Sequence, residues 1–392
     1  LFYLEEALRL EHRMTEAERR ATRGQLGVVT GRFQDALVEY TVLTELQPEV
    51  PATWANQGHT LDLLGRLTEA EAAHRRAREL GDRRPSPVGW NLVRNLLGQG
   101  RVDEARALLD EIEAEYPDDR VVLDLRNRVI LAEGDLAGAR AWLESRGWPT
   151  EDLDLVQGRP DGVLAVTRQA RLNPDPGARF WNALDHAYIE LWALEDPSAA
   201  ARTLLDALAD PELDEIQPSP RPLAWPAFLL AAAGRPSEAR RWRGRHEAQV
   251  PEALLQREQA LGWATEALAL GAEGRLEEAV ILMRRARQDR LCPACWEPMA
   301  ARLFEAAGQP DSAAVAWARY ADTPWMEGWS YFFPWQGPTH YHLLAPAHEN
   351  AARLFRQLGN VAEAERHEAR FLALWGDPDP VLRPRVEAVR GR

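Results

Sequence analysis

A glycine followed five residues later by an alanine recurs along this chain at a nearly fixed interval, and that recurrence restricts the folds open to it. The pairs are Gly31/Ala36, Gly65/Ala70, Gly100/Ala105, Gly134/Ala139, Gly234/Ala239, Gly274/Ala279, Gly308/Ala313 and Gly359/Ala364. The first four glycines recur at an interval of about 34 residues, and Gly274 to Gly308 repeats it. A period of this size predicts stacked helix-turn-helix units that each pack on their neighbours. The glycine ends the first helix of a unit, where the chain needs a left-handed or tight turn. The alanine marks where the second helix crosses the first, and only a small side chain permits that approach. Pro48, Pro117 and Pro251 each lie half a period past a turn glycine and close the second helix.

One unit carries the whole pattern: Trp54, Gly58, Gly65, Ala70 and Ala77. With those residues in register, the chain resembles tetratricopeptide repeat (TPR) proteins over essentially its whole length. The resemblance implies an all-α, right-handed superhelical solenoid of about nine or ten helix pairs. It also implies a job in protein–protein interaction, with no catalytic residues and no cofactor.

The middle of the chain departs from the pattern. Gly158 follows Gly134 too soon for a full period, and Val163 stands after it where alanine is expected. Ser145–Glu151 reads as a Trp-Pro turn. A further unit is expected over Phe180–Ala209, with Asp196-Pro197 in place of the glycine turn. The segment 210–226 is rich in proline and reads as a linker or a bend. These features divide the chain into an N-terminal array over 1–209, the linker, and a C-terminal array over 227–392 with a terminal capping helix.

The last hundred or so residues carry a narrower resemblance. Phe371–Pro380 and the residues up to Arg390 resemble the end of long TPR regions in bacterial proteins. In that family the region follows a eukaryotic-like Ser/Thr kinase domain or a transcription-regulator domain. The Cys292-Pro-Ala-Cys295 turn, Gly308–Ser312, Tyr320 and Thr323–Trp325 look like the same family. The resemblance implies the sensor or interaction region of a bacterial signalling protein. The sequence holds no Gly-rich ATP loop, no His-Arg-Asp catalytic loop and no Asp-Phe-Gly.

Composition removes whole classes of function. All 47 basic residues are arginine, so no P-loop lysine, Schiff-base lysine or Ser–Lys dyad is available. The net charge of −14 opposes binding to phosphate backbones, so the expected partner is a protein or peptide and not a nucleic acid. The longest apolar stretch, Leu223–Gly234, is about a dozen residues and contains Pro226, whereas a membrane-spanning helix needs about 20. The start at Leu1 reads as a mature or excised fragment. Both cytoplasmic and extracytoplasmic locations stay open.

Three candidate sites follow from the register. The residues nine and six before a turn glycine lie on the first helix of a pair and point to its inner face. Those are Asn56 and His59, Asn91 and Arg94, then Leu125 and Arg128. Asn and Arg there can clamp the backbone or carboxylate of an extended peptide, or the asparagines can simply bridge neighbouring repeats. The second candidate is the insertion Met326–Pro338, broken by Pro334 and Pro338. It holds Trp329, Tyr331, Phe332, Phe333 and Trp335, which either fold back on the solenoid or meet another chain, including a second copy of this one. Trp317 and Tyr320 fall on a second helix and belong to the core. Third, Cys292 and Cys295 are the only cysteines; they read as structural thiols, a local disulfide, or a metal or redox pair. His340, His342 and His348 cluster in sequence but share no helical face, and no metal site is expected there.

Overall fold

The computed structural model describes residues 1–216, 223–288, 294–323 and 336–391. Those residues are helical, with no strand among them. They divide into two compact units. Unit one comprises Leu1–Trp148 with Ala253–Arg257, and unit two comprises Pro149–Glu252, Glu258–Thr323 and the described residues from 336 onward.

Unit one opens with α1 (Phe2–Arg9). Four helix pairs follow: α2/α3 (Glu16–Val29, Phe33–Leu46), α4/α5 (Pro51–Leu63, Leu67–Glu79), α6/α7 (Trp90–Gly98, Val102–Glu115) and α8/α9 (Arg120–Ala132, Leu136–Ser145). Unit two holds six: α10/α11 (Glu151–Val156, Pro160–Ala170), α12/α13 (Pro176–Tyr188, Pro197–Leu208), α14/α15 (Ala224–Ala232, Pro236–Gln249), α17/α18 (Gln259–Ala272, Leu276–Ala286), α19/α20 (Glu297–Ala306, Pro310–Ala321) and α21/α22 (Gln336–Gln357, Val361–Leu374). A short α16 (Glu252–Leu255) precedes α17, and α23 (Arg383–Arg390) follows α22.

The turn chemistry is uniform. The eight glycines of the sequence pattern have φ between 69° and 79°, a left-handed conformation that glycine adopts without a Cβ penalty. All eight alanines are 0% exposed. At the first crossing a Cβ built on Gly27 would stand 3.0 Å from the Ala36 Cβ, so the helices touch there through backbone and methyl. An arginine follows several turn glycines and pairs with the glutamate three residues on: Arg66–Glu69 at 2.5 Å, Arg101–Glu104 at 2.6 Å and Arg275–Glu278 at 2.6 Å. These exposed pairs add little stability individually, but each places a carboxylate in the first turn of a helix.

The irregular middle obeys the same rule with substitutions. Gly158 has φ 72° and turns α10 into α11, so it does belong to the repeat series, with α10 shortened to six residues. Val163 takes the alanine position and is 6% exposed. In the next pair Glu195 takes the glycine position with φ 55°, and Ala200, five residues on, is 0% exposed. Asp196 then caps α13 through the Ala199 N–H at 2.8 Å. The segment read as a linker over 210–226 is shorter than expected, because α14 begins at Ala224 and places Pro226 in its first turn, where proline is tolerated. Likewise α21 begins at Gln336, so the expectation of a helix-free insertion through Pro338 fails at its last three residues.

In unit two one apolar core runs from Phe180 on α12 to Leu354 on α21. Trp317 and Tyr320 lie in it, 1% and 4% exposed. A second cluster joins Ala345, Phe371 and Trp375 to Leu382, Val386 and Val389, so α23 covers the α21/α22 pair with apolar contact.

Candidate binding groove

The groove candidates of unit one sit on α4, α6 and α8, the first helices of successive pairs. His59, Arg94 and Arg128 are half-buried and keep the repeat register. The Arg94 and Arg128 guanidinium groups lie 5.8 Å and 5.2 Å from the centroid of the Trp90 ring, so one indole gathers both cations. Asp124 accepts from Arg128 Nε at 2.8 Å and fixes its orientation. Burial pushes His59 down to about 4, with Asp62 opposing and His74, Arg94 and Arg257 adding to the effect. The imidazole is therefore neutral at pH 7 and able to accept as well as donate.

The other members of the register behave differently. Asn56 is exposed on α4. Asn91 is 5% exposed and Leu125 is 0% exposed. The position nine before the glycine is thus a packing position on α6 and α8, which removes Asn91 from the contact face. The reason is geometric: positions three apart fall short of a full helical turn, so the two register positions do not share a stripe of the same width at every crossing.

A buried polar network that the register did not expose lies beside this face. Asp62 on α4 accepts from Asn95 Nδ2 at 2.6 Å and meets His74 Nε2 at 2.8 Å. The same Asn95 amide reaches the Leu67 carbonyl at 2.9 Å. Gln99 and Arg101 continue it to Glu71, at 3.1 Å and 2.5 Å. Asn95 is 3% exposed and His74 0%. The network ties the α4/α5 pair to α6/α7 and gives that junction a single arrangement. Asp62 and Asn95 stand three and five residues before their turn glycines, so no shared spacing pointed to them.

The remaining candidates divide. Cys295 is disulfide-bonded, and Cys292 lies outside the described residues. Trp329, Tyr331, Phe332, Phe333 and Trp335 also lie outside them. His348 finds its partner away from the sequence cluster: its Nδ1 is 2.8 Å from Nδ1 of His367 on α22. Among the described residues no three His, Cys, Asp or Glu side chains converge to hold a metal ion. No described helix is long and apolar enough to cross a membrane.

The Tetratricopeptide repeat profile matches residues 87–111, 128–145 and 220–245. Those segments fall on α6/α7, α8/α9 and α14/α15. Among the described residues ten helix pairs carry this turn chemistry, three of them matched by the profile, so the chain contains tetratricopeptide repeats. It is an all-α solenoid that serves protein–protein interaction. Among solved structures it is similar to the Cut9–Hcn1 hetero-tetramer of the APC/C, with 12% identity over all of this chain and 78% of that one, at a TM-score of 0.38. It is also similar to yeast Tom70, with 13% identity over 96% of each chain, at a TM-score of 0.31. No curated protein matches the sequence.

Proposed function

We propose that the chain is a peptide-binding scaffold whose unit-one contact face is built on His59, Arg94 and Arg128. The observation that carries this reading is the gathering of Arg94 and Arg128 around Trp90 in repeat register. Arginine presents a planar donor fork suited to carboxylate, and two such side chains in successive repeats offer a peptide a periodic pair of positive groups. The net charge of −14 favours a protein partner over nucleic acid. The C-terminal resemblance supports a role for the scaffold in a bacterial signalling protein, as its sensor or interaction region. The test is binding of the full chain to immobilised peptides with free and with amidated C-termini. Arg94→Ala/Arg128→Ala is expected to weaken binding at least tenfold with helicity unchanged, since each charge-assisted hydrogen bond contributes about 1.5–3 kcal/mol. Unchanged affinity in the double variant moves the contact face elsewhere.

Self-assembly is the second reading, and α1 supports it. Phe2 and Tyr3 are 65% and 85% exposed, and no residue of α1 is buried. An exposed apolar helix beside the first helix pair of a solenoid is a ready surface for a second chain. Light scattering decides: a monomer at high concentration rules this reading out.

A further inference from the structure

A cavity of about 120 Å³ lies in unit two among α12, α13 and the residues that follow α11 and α13. Phe180, Ala183, Leu213 and Ile216 form its apolar floor and are 3%, 1%, 3% and 8% exposed. Arg179 and Asp210 also line it, but they are spent on each other: Arg179 Nε donates to Asp210 Oδ2 at 2.9 Å. The other Arg179 nitrogens reach Glu212 at 2.5 Å and the Asn173 and Pro174 carbonyls at 3.1 Å. Asp210 Oδ1 accepts from the Glu212 N–H at 2.9 Å. Two further charges on the same cavity are unspent. Arg171, just past α11, is half-buried, and Asp206 on α13 is exposed, so both sit on its solvent side. Neither side chain makes a hydrogen bond or an ion pair with the other or with any described residue.

The size of the cavity selects a small ligand, since a cavity of roughly 150 Å³ holds one benzene molecule. It has room for several waters, but an apolar floor gives them few hydrogen bonds, and displacing such water by an apolar group is favourable. The rim selects the rest of the ligand. A guanidinium takes a carboxylate through its planar donor fork, and a carboxylate takes an ammonium. Arg171 and Asp206 share the cavity without pairing, so a molecule that carries both charges gives each of them its complement. A metal cation or an inorganic anion satisfies one rim group and is opposed by the other. We propose that Arg171, Asp206 and the apolar floor form a binding site for a free amino acid with a short aliphatic side chain. Its carboxylate meets Arg171, its ammonium meets Asp206 and its side chain enters the floor. The site lies within unit two and is independent of the unit-one contact face.

The experiment is calorimetric titration of the full chain with valine at neutral pH. Saturable one-site binding is expected. Isovalerate lacks the ammonium and isobutylamine lacks the carboxylate, and each should bind roughly tenfold more weakly or worse, the loss of one charge-assisted contact. Tryptophan keeps both charges but carries a ring system too large for the floor, and it should not compete. Arg171→Gln and Asp206→Asn are each expected to weaken valine binding by roughly tenfold or more. Neither side chain has a partner in the fold, so both variants should keep the melting temperature of the wild type. No saturable binding of valine, equal binding of isovalerate or isobutylamine, competition by tryptophan, or unchanged affinity in the two variants overturns the proposal.

Discussion

Glu195 adopts the backbone conformation that glycine supplies at the other turns, and it is the one non-glycine residue with positive φ among those described. A side chain there strains the backbone by roughly 1–2 kcal/mol. The strain is held by Asp196, which caps α13, and by Ala200, which seats the crossing. Glu195 also lies 3.6 Å from Arg385. Comparing Glu195→Gly with Glu195→Ala removes the carboxylate in both and isolates the backbone. The glycine variant is expected to be more stable than the alanine variant by about 1 kcal/mol, read from denaturant midpoints. Equal midpoints show that the turn carries no strain. The same residue explains why this unit was harder to read from sequence. Asp196-Pro197 marked a turn correctly, but the left-handed position itself bore a glutamate that no spacing rule selects.

The legible elements are those whose identity is set by sterics. Gly65 and Ala70 were readable because a turn and a crossing each tolerate almost nothing else. Gly158 departs from the sequence pattern because Val163 stands where alanine is expected, yet its crossing accepts the larger residue beside the shortened α10. Side-chain pairing between helices has no such signature, and His348 with His367 is the example. Arg366 Nη2 donates to His367 Nε2 at 2.8 Å, so that nitrogen carries no proton. The His367 proton must then sit on Nδ1 and be donated to His348 Nδ1. Neither ring can gain a proton without losing one of these bonds. The pair is buried on α21 and α22 among Phe355, Asp322, Glu363, Arg366 and Arg370. Burial pushes His348 down to about 3, with His367, Arg366 and Arg370 acting in the same direction and Asp322 against. In the unfolded chain histidine titrates near 6.5. Between about 6.5 and 3 the unfolded state therefore binds more protons, and stability falls as pH falls. The contribution is complete above about 6.5, and His348 alone accounts for roughly 2 kcal/mol of loss by pH 5, at about 1.4 kcal/mol per unit. His348→Leu should flatten the dependence of unfolding free energy on pH between 7 and 5. A slope identical to wild type shows that His348 does not titrate in that window.

At the scale of whole units, contacts in an open solenoid join only neighbours, and damage stays local. Unit two does not follow that rule. The Asp379 N–H donates to the Gly158 carbonyl at 2.8 Å, and Asp379 Oδ2 accepts from the Asp161 N–H at 2.8 Å. Arg159 reaches the Asp377 carbonyl at 3.3 Å, a contact across 218 residues. Arg385 donates to the Ala193 carbonyl at 3.1 Å. The segment after α22 is thereby fastened to the first pair of its own unit. Gly158 is the point of closest approach: a Cβ there would meet the Trp375 ring at 3.0 Å and Pro378 at 3.1 Å. Gly65 has nearly the same φ, 69° against 72°, but nothing within 4 Å of its would-be Cβ. The two glycines therefore separate backbone strain from contact. Gly65→Ala should cost about 1 kcal/mol for the left-handed backbone alone. Gly158→Ala should cost that plus roughly 1–3 kcal/mol of overpacking against a tryptophan that is 1% exposed. Hydrogen exchange should show the difference in reach. Gly65→Ala loses protection in α4 and α5 only, whereas Gly158→Ala loses it in α10, α11, α22 and α23 together, because one set of bonds holds both ends. Equal costs for the two variants, or losses confined to α10 and α11, would show that the closure adds nothing to the stability of the unit.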